Sequence, residues 1–320
     1  MDLVTIDQPS TTAISTELVT RVAEYTAASK APNTKRAYTA AWRVFTSWCQ
    51  ARGVQALPAL PAVVAAYVAD RASATKVSTL SVHLAAIRHA HVLAGFESPT
   101  QSKEVAIVMS GIRRTHGCDP RKKAALLVGD LRAIASRVDD DVRGCRDRAL
   151  LLLGFCGGLR RSEIVALDVG DAVFTSEGVT LSIRRSKTDQ QGKGRTIGIG
   201  HGTQESTCPV TALRQWLACS GVTEGPLFRG VDRHGHVRAG RLCTRTVARV
   251  IKRRGKQVGL DPKVLGGHSL RSGFATSAAK AGVEERVIAK TTGHKSIAIL
   301  RSYIQSATAF DGDVVRRLGL

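Results

Sequence analysis

The feature that most constrains this chain is a change, part-way along it, in how its apolar residues are spaced. Between residues 17 and 113 they recur at helical intervals only, in segments such as TELVTRVAEYTAA and LPAVVAAYVADRA. No stretch of this half alternates as a strand would. An all-α helical bundle is therefore predicted for 17–113, behind a polar, flexible segment at 1–16.

Cap residues predict where the helices of this half begin and end. The first is expected to enter behind Ser15 or Thr16, the second to be capped by Asn33, and another to start at Pro61. A fourth helix is expected to run from a Ser78 cap, and the last to close at Arg113.

The pattern breaks at residues 114–124, RTHGCDPRKKA, where glycine, proline and clustered charge predict a basic linker and a domain boundary. The second half, 125–320, is mixed. Its helical segments are interrupted by VTLSI and RTIGI, which alternate and flank the polar turn KTDQQGKG. With an earlier short strand near 171–174, they predict an α+β domain that contains a small antiparallel sheet. The whole chain is then mainly α, with two domains.

The balance of charge narrows the class of partner. Lysine and arginine number 47 against 26 acidic residues, a formal net charge of +21. A positive field of that size favours a polyanionic partner, most often nucleic acid. A basic protein that is kept in solution by its charge is the alternative interpretation.

Several other classes find no support in the sequence. The N-terminus has acidic residues and no apolar stretch, and no run of about 18 apolar residues occurs, so neither a signal peptide nor a membrane span is predicted. A cytoplasmic location is expected, at the nucleoid in a bacterium. The seven cysteines form no CxxC pair, and no P-loop motif is present. No metal and no other cofactor is therefore predicted.

The second domain carries five polar segments of chemical interest. They contribute Arg160 and Glu163 in GGLRRSEIVAL, Lys187 in RRSKTD, His268 and Arg271 in GGHSLRSGFA, His294 in TTGHKS, and Tyr303 in RSYI. Taken singly, each has an ordinary structural interpretation: a surface ion pair, a solvated loop cation, a polar helix start, a turn residue and an amphipathic core tyrosine.

Together these residue types suit an attack by Tyr303 on a DNA phosphodiester. Two arginines offer planar forks of donors to the negative charge of the transition state. A histidine can accept the proton of the tyrosine hydroxyl, whose pKa is ordinarily about 10, or can form a hydrogen bond with the phosphate. A lysine on a turn can protonate the departing 5′-oxygen. Such a site requires no metal, because the guanidinium groups stabilise the developing charge.

The ordered set of Arg, hairpin Lys, His-x-x-Arg, Gly-His and Tyr resembles the tyrosine recombinase (phage integrase) family. By that resemblance the site comprises Arg160 as first arginine, Glu163 as its supporting acid, Lys187 as hairpin lysine, His268 and Arg271 as the His-x-x-Arg box, His294 at the histidine-or-tryptophan position, and Tyr303 as nucleophile.

The resemblance also implies architecture and activity. The first half would be the family's core-binding, SAM-like helical domain, and 125–320 its catalytic domain, the two forming a C-shaped clamp on double-stranded DNA. Four protomers would bind two sites with paired inverted repeats and exchange strands through 3′-phosphotyrosine links and a Holliday junction. The tail after Tyr303, QSATAFDGDVVRRLGL, would dock into a neighbouring subunit of this homotetramer.

Basic helices supply the predicted DNA contacts. The candidates are Arg36, Lys76 and Arg88 in the first domain, and Arg245, Arg249 and Lys252, with Arg253 beside them, in CTRTVARVIKRRGKQVG. By resemblance this last segment is a major-groove helix on which Arg245 reads a guanine edge. A solvated basic face explains each candidate as well when it is taken alone.

Two other functions stay open. The same chemistry could serve a topoisomerase IB-like relaxase or a telomere resolvase, and a vestigial site could belong to a DNA-binding regulator. The two-domain length speaks against the first, and the complete set of active-site residues speaks against the second.

Overall fold

The computed structural model describes residues 15–117, 123–184 and 194–293, together with Arg301 and Leu318. Contacts between residues divide the chain into two compact units, 1–121 and 122–320. Each unit has its own hydrophobic core. Within the described residues, no helix is long and apolar enough to cross a membrane.

The described part of the first unit is all α, as predicted. Its helices are α1 (Thr16–Ala28), α2 (Pro32–Gln50), α3 (Pro61–Arg71), α4 (Val77–Leu93) and α5 (Lys103–His116), with a 3-10 turn at Pro99–Gln101. Phe45, Tyr67 and Leu80, from three of these helices, are fully buried in the core. The Tyr67 hydroxyl lies 2.6 Å from Nδ1 of His83, and burial raises the pKa of Tyr67 to about 12.

The predicted starts of α1 and α3 are confirmed. The Ser15 side chain accepts a hydrogen bond from the backbone N–H of Leu18 (3.3 Å), and Pro61 is the first residue of α3. The Asn33 cap is wrong. α2 begins one residue earlier, at Pro32, whose fixed φ suits the first helical position.

Two further helix bounds differ from their predictions. Ser78 does not cap α4, because the helix already begins at Val77 and has no side-chain cap. α5 passes Arg113 and ends at Gly117, which adopts a positive φ of 70° that favours glycine. The helix therefore enters the range 114–124 that the sequence predicts as linker.

The second unit combines helices with two small antiparallel sheets, and the predicted hairpin and early strand are confirmed. Its helices are α6 (Val128–Ala135), α7 (Val142–Cys156), α8 (Arg161–Ala166), α9 (Pro209–Ser220), α10 (Thr244–Gln257), α11 (Ser269–Lys280) and α12 (Glu285–Thr292). Its strands are β1 (Ala172–Phe174), β2 (Gly178–Ile183), β3 (Arg195–Gly200), β4 (Arg229–Val231) and β5 (Val237–Arg241). In the three-stranded sheet β1-β2-β3, Leu181 of β2 lies opposite both Ala172 and Ile197.

β4 and β5 pair as a separate ribbon that was not predicted from the sequence. β5 reads VRAGR and is exposed over most of its length, so it lacks the apolar alternation by which strands are detected. The one local signal is Gly235, whose φ of 87° suits the turn between the strands.

The segment before α6 runs alongside α11 and fixes the position of that helix. The backbone N–H of Leu126 donates to the carbonyl of Ser269 (2.9 Å), and the Ser269 hydroxyl accepts from the N–H of Gly266 (2.9 Å). A Cβ added at Gly273 would lie 1.8 Å from the carbonyl oxygen of Leu126. Because only glycine permits this approach, α11 and its Arg271 are held close to the segment.

Candidate active site

The site begins where the buried helix α7 ends. A turn at 157–159 separates α7 from α8, and Arg160 occupies the cap position of α8. Glu163, in the first turn of α8, accepts hydrogen bonds from the backbone N–H (2.9 Å) and from Nη1 (2.7 Å) of Arg160. The predicted ion pair is therefore present, but it is buried rather than on the surface: the side chains are 14% and 0% exposed.

A second arginine, not found from the sequence, binds the same carboxylate. Arg195, the first residue of β3, donates from Nη1 to Oε1 (3.2 Å) and from Nη2 to Oε2 (3.0 Å) of Glu163. Burial alone would raise the pKa of Glu163, but the hydrogen bonds and positive charges of Arg195 and Arg160 hold it below its usual range. Glu163 is thus a buried carboxylate that stays ionised.

Arg271, predicted as the second arginine of the site, is buried in α11. Its Nη1 donates to the carbonyl of Gly158 (2.8 Å) and to the carbonyl of Thr292, at the end of α12. Gly158 lies two residues before Arg160 in the turn between α7 and α8. The hydrogen bond from Arg271 to Gly158 therefore brings the two predicted arginines, one from this turn and one from α11, close together. This pair was predicted from the sequence, and its supporting carbonyls were not.

His268 occupies the cap position of α11, directly before the helix that carries Arg271. His268 is exposed. Its backbone carbonyl accepts hydrogen bonds from the backbone N–H (3.0 Å) and the hydroxyl (3.0 Å) of Ser272. His268 therefore stands three residues before Arg271, at the start of α11 rather than within it.

Two glycines bring the segments of the site into contact. A Cβ at Gly158 would lie 2.8 Å from Cγ2 of Thr292, and one at Gly293 would lie 3.0 Å from Nη1 of Arg195. Both residues have positive φ, 53° and 65°, and Gly293 ends α12 in the left-handed conformation. The turn after α7, the start of β3, α11 and the end of α12 consequently meet at one place.

Lys187, His294 and Tyr303 lie outside the described residues. The residues that flank the Lys187 segment are held by carboxylates: Arg184 donates from Nε to Asp171 (2.7 Å) and from Nη2 to Asp168 (2.8 Å), as Arg195 does to Glu163. These contacts fix the end of β2 and the start of β3, on either side of the Lys187 segment.

The described residues of the site carry three guanidinium groups (Arg160, Arg195 and Arg271) and one carboxylate (Glu163). This balance is positive, and it suits an anion such as a phosphodiester. Among the described residues there is no group of three or more His, Cys, Asp or Glu side chains that could hold a metal ion.

α10 carries a basic stripe on its exposed side. Arg245 and Arg249 are exposed and Lys252 is half-buried, and helical spacing places them with Lys256 on one face. Apolar residues such as Val250 bury the opposite face. We call Arg245, Arg249, Lys252 and Lys256 the α10 stripe.

Arg253 lies beside the stripe but is bound elsewhere. Its guanidinium donates to Asp147 of α7, a fully buried carboxylate that also accepts from Nη2 of Arg146 (2.7 Å) and Nε of Arg254 (2.9 Å). We call these four residues the Asp147 cluster. It joins α7 to α10, and no local pattern reveals it, because the two residues on α7 precede the two on α10 by about a hundred residues.

The first-unit candidates for DNA contact are all exposed. Arg36 lies on α2 and donates to the side chain of Asn33, Lys76 precedes α4, and Arg88 lies on α4. Their part in DNA binding stays a prediction.

Comparison with known proteins identifies the chain. The sequence profile of the phage integrase family matches residues 126–309. The chain belongs to the phage integrase family. This family member is 38% identical over 294 residues to an integrase/recombinase xerD homolog of Selenomonas ruminantium, covering 91% of this chain and 86% of that protein. It is 28% identical over 300 residues to the recombinase Cre of Escherichia phage P1, covering 86% and 84%.

Solved structures show the same two-domain fold for this phage integrase family member. The XerH site-specific recombinase, bound to a palindromic difH substrate, matches with a TM-score of 0.58 and 18% identity over 81% of this chain and 71% of that one. A lambda integrase dimer bound to a COC′ core site matches with a TM-score of 0.57 and 18% identity, over 90% and 76%. The mainly helical, two-domain fold predicted from the sequence is thereby confirmed.

Proposed function

We propose that this chain is a site-specific DNA recombinase of the tyrosine class, and that it cleaves and rejoins DNA strands with neither ATP nor a metal ion. The observation that carries this proposal is the convergence of Arg160, Glu163, Arg195 and Arg271 in a phage integrase family member. Two arginines are fixed there by a buried carboxylate, and a third by backbone carbonyls.

In the proposed reaction, Arg160 and Arg271 bind the non-bridging oxygens of the scissile phosphate. The Tyr303 oxygen attacks the phosphorus, and the bond from phosphorus to the 5′-oxygen breaks. His268 or His294 accepts the tyrosine proton, and Lys187 protonates the departing 5′-oxygen. The products are a 3′-phosphotyrosine and a free 5′-hydroxyl. Because the phosphotyrosine is itself a phosphodiester, rejoining needs no external source of energy.

Strand exchange follows if the freed 5′-hydroxyl attacks the phosphotyrosine of a partner site. Four protomers on two sites with paired inverted repeats would pass through a Holliday junction in this way. The XerH recombinase, whose fold is similar, was solved on a palindromic difH substrate, which supports a target with symmetric half-sites. On each half-site the α10 stripe would enter the major groove, and Arg36, Lys76 and Arg88 would contact the duplex from the first unit.

The residues after Tyr303 are proposed to close the tetramer by docking into a neighbouring subunit. Removing the chain after Ser306 should then leave DNA binding intact and reduce recombination strongly. A truncated protein that recombines at the normal rate would end this part of the proposal.

Two rivals remain distinguishable by experiment. A topoisomerase IB-like relaxase would relax plasmids that lack any target site. A DNA-binding regulator would bind a specific site and form no covalent link to it. The cytoplasmic location expected from the sequence also stays a prediction.

Trapping covalent adducts tests the proposal. The protein is mixed with fragmented host DNA, the reaction is stopped with denaturant, and the linked DNA is sequenced, with Tyr303→Phe as control. Adducts at a few paired inverted repeats, absent from the control, would support recombination. Adducts at scattered positions would favour the topoisomerase, and tight binding with no adduct would favour the regulator.

A further inference from the structure

Resting on the proposed function, we infer that Arg195 is a positioning residue of the cleavage reaction: it acts through Glu163 on Arg160 and through backbone packing on the end of α12. The residues predicted for the site keep the roles that were proposed for them. Arg195 is added to them as a residue that contacts two segments of the site, the start of α8 and the end of α12.

The first link is the shared carboxylate. Glu163 is 1% exposed and accepts four hydrogen bonds, two from Arg160 and two from Arg195. Two cations on one carboxylate leave a net positive charge, so the Arg160 guanidinium can still attract a phosphate. Without Arg195, Arg160 would neutralise Glu163 alone, and its attraction for the phosphate would fall.

The second link is the contact with Gly293. A Cβ at this glycine would lie 3.0, 3.1 and 3.2 Å from Nη1, Cζ and Nε of Arg195. Such nearly equal distances to three atoms mean that the side-chain position of Gly293 faces the flat side of the guanidinium, which leaves no room for a Cβ. The end of α12, directly before His294 in the sequence, is therefore supported by the same side chain that holds Glu163.

Lysine cannot replace arginine in this arrangement. An ammonium is a point charge, whereas the guanidinium presents a planar fork to the carboxylate and a flat face to Gly293. Arg195→Lys should therefore keep the charge and lose the geometry, and Arg195→Gln should lose both.

The test uses a DNA site recovered by adduct sequencing, so wild-type protein that fails to cleave it would refute the proposed function rather than this inference. Single-turnover cleavage should slow about 100-fold in Arg195→Gln and by a smaller factor in Arg195→Lys. The Kd for the site should change less than about threefold, because Arg195 lies under the site rather than on the DNA surface. Cleavage at the wild-type rate by both variants would overturn the inference.

Arg148→Gln is the matched control. Arg148 is also an arginine of the second unit, 15% exposed and paired with a carboxylate, Asp140 (3.0 Å), against 18% exposure for Arg195. It belongs to the first half of α7, away from the site. If Arg148→Gln lowered the melting temperature equally and slowed cleavage equally, the effect at Arg195 would be one of general stability, and the inference would fail.

A double-mutant cycle tests the route through Glu163. If Arg195 acts through this carboxylate, the combination of Arg195→Gln and Glu163→Gln should be about as slow as the slower single variant. If the two rate losses multiply instead, the residues act independently and the route is wrong.

A sulfur-substituted substrate tests whether Arg195 helps to stabilise the phosphate or helps to protonate the leaving 5′-oxygen. When the bridging 5′-oxygen is replaced by sulfur, the leaving thiolate needs no proton, so Lys187→Ala should recover most of its cleavage rate. Arg195→Gln should stay slow on this substrate, because Arg160 still stabilises the charge of the transition state less well. Recovery by Arg195→Gln would assign it to the leaving group and overturn the inference.

Discussion

At the scale of single residues, the Glu163 carboxylate shows how burial and charge are reconciled in this protein. Burial disfavours the ionised form, and four N–H donors from two arginines more than compensate for it. The result is a fixed negative charge beneath a positively charged site. The contribution of this charge to stability can be measured from the pH dependence of the unfolding free energy.

We expect Glu163 to stabilise the fold only where it is ionised. Its pKa in the folded protein lies below that of the unfolded chain, about 4.3. Its contribution is therefore complete above that pH and is lost as the pH falls through the lower, folded value. Glu163→Gln should be less stable than wild type by about 3 kcal/mol near pH 7, since two buried arginines lose their partner.

Urea unfolding followed by circular dichroism, from pH 7 towards pH 3, measures this difference. The gap in unfolding free energy between wild type and Glu163→Gln should narrow as the pH falls. A gap that is constant with pH would contradict the assignment of an ionised carboxylate.

The sequence predicts the Arg160–Glu163 pair because its members lie three residues apart, a spacing that has a local geometric meaning. Arg195 was missed for the opposite reason. It follows Glu163 by 32 residues, and only the pairing of β2 with β3 brings it back to the same carboxylate. Pair geometry of this kind is set by tertiary structure and leaves no local pattern.

At the scale of elements, the position of α11 depends on one glycine. Gly273→Ala would put Cβ 1.8 Å from the carbonyl of Leu126, and something in the packing must move. We expect a loss of at least about 2 kcal/mol in the unfolding free energy, together with slower cleavage, because α11 also carries Arg271.

Gly129→Ala provides the control in the same unit. Gly129 is also helical, in α6, and a Cβ there meets nothing within 4 Å. It should leave stability unchanged or raise it by about 0.5–1 kcal/mol. An equal gain, or no change, at both glycines in urea unfolding would show that helix propensity, not close packing, governs Gly273.

The Asp147 cluster predicts a second contrast between elements. Asp147→Asn leaves the buried Arg254 with a weaker partner, and we expect a loss of about 3 kcal/mol in thermal or urea unfolding. Asp140→Asn removes an ion pair with Arg148 from a side chain that is 89% exposed, and should cost less than about 1 kcal/mol. Similar losses at the two positions would contradict a structural role for the cluster.

Element types were predictable where burial imposes a period. The hairpin of β2 and β3 buries alternate residues such as Leu181 and Ile197, and it was found. In the β4–β5 ribbon, β4 is half-buried throughout and β5 is largely exposed, so neither strand alternates between buried and exposed residues. The cap at Asn33 failed for another reason, because Pro32 supplies a competing helix start one residue earlier.

At the scale of the whole molecule, the net charge of +21 sets how the protein meets DNA. Binding to a duplex without a target site should weaken steeply with salt, because cations bound to the phosphates are released. Arg249→Gln in the α10 stripe should lower the magnitude of the slope of log K against log salt by about 1. Fluorescence anisotropy across a sodium chloride series measures both slopes.

Arg52→Gln is the comparison for the salt experiment. Arg52 is also a partly exposed arginine, but it is paired with Asp70 (3.2 Å) and stacked on Trp48. Its loss should change the slope little. If Arg52→Gln and Arg249→Gln lowered the slope equally, overall charge rather than the α10 stripe would determine DNA binding.

The hydrogen bonds of Arg271 to the carbonyls of Gly158 and Thr292 determine which experiments can measure the support of this arginine. Both acceptors belong to the main chain, so an alanine scan leaves these two hydrogen bonds in place and does not measure what they contribute. Replacing a main-chain amide by an ester, which weakens the carbonyl as an acceptor, would reveal what side-chain scanning cannot. By the same reasoning, the support of Arg271 is set by the path of the backbone, separately from the buried Thr292 side chain, whose hydroxyl donates to the carbonyl of Ile288 (2.6 Å).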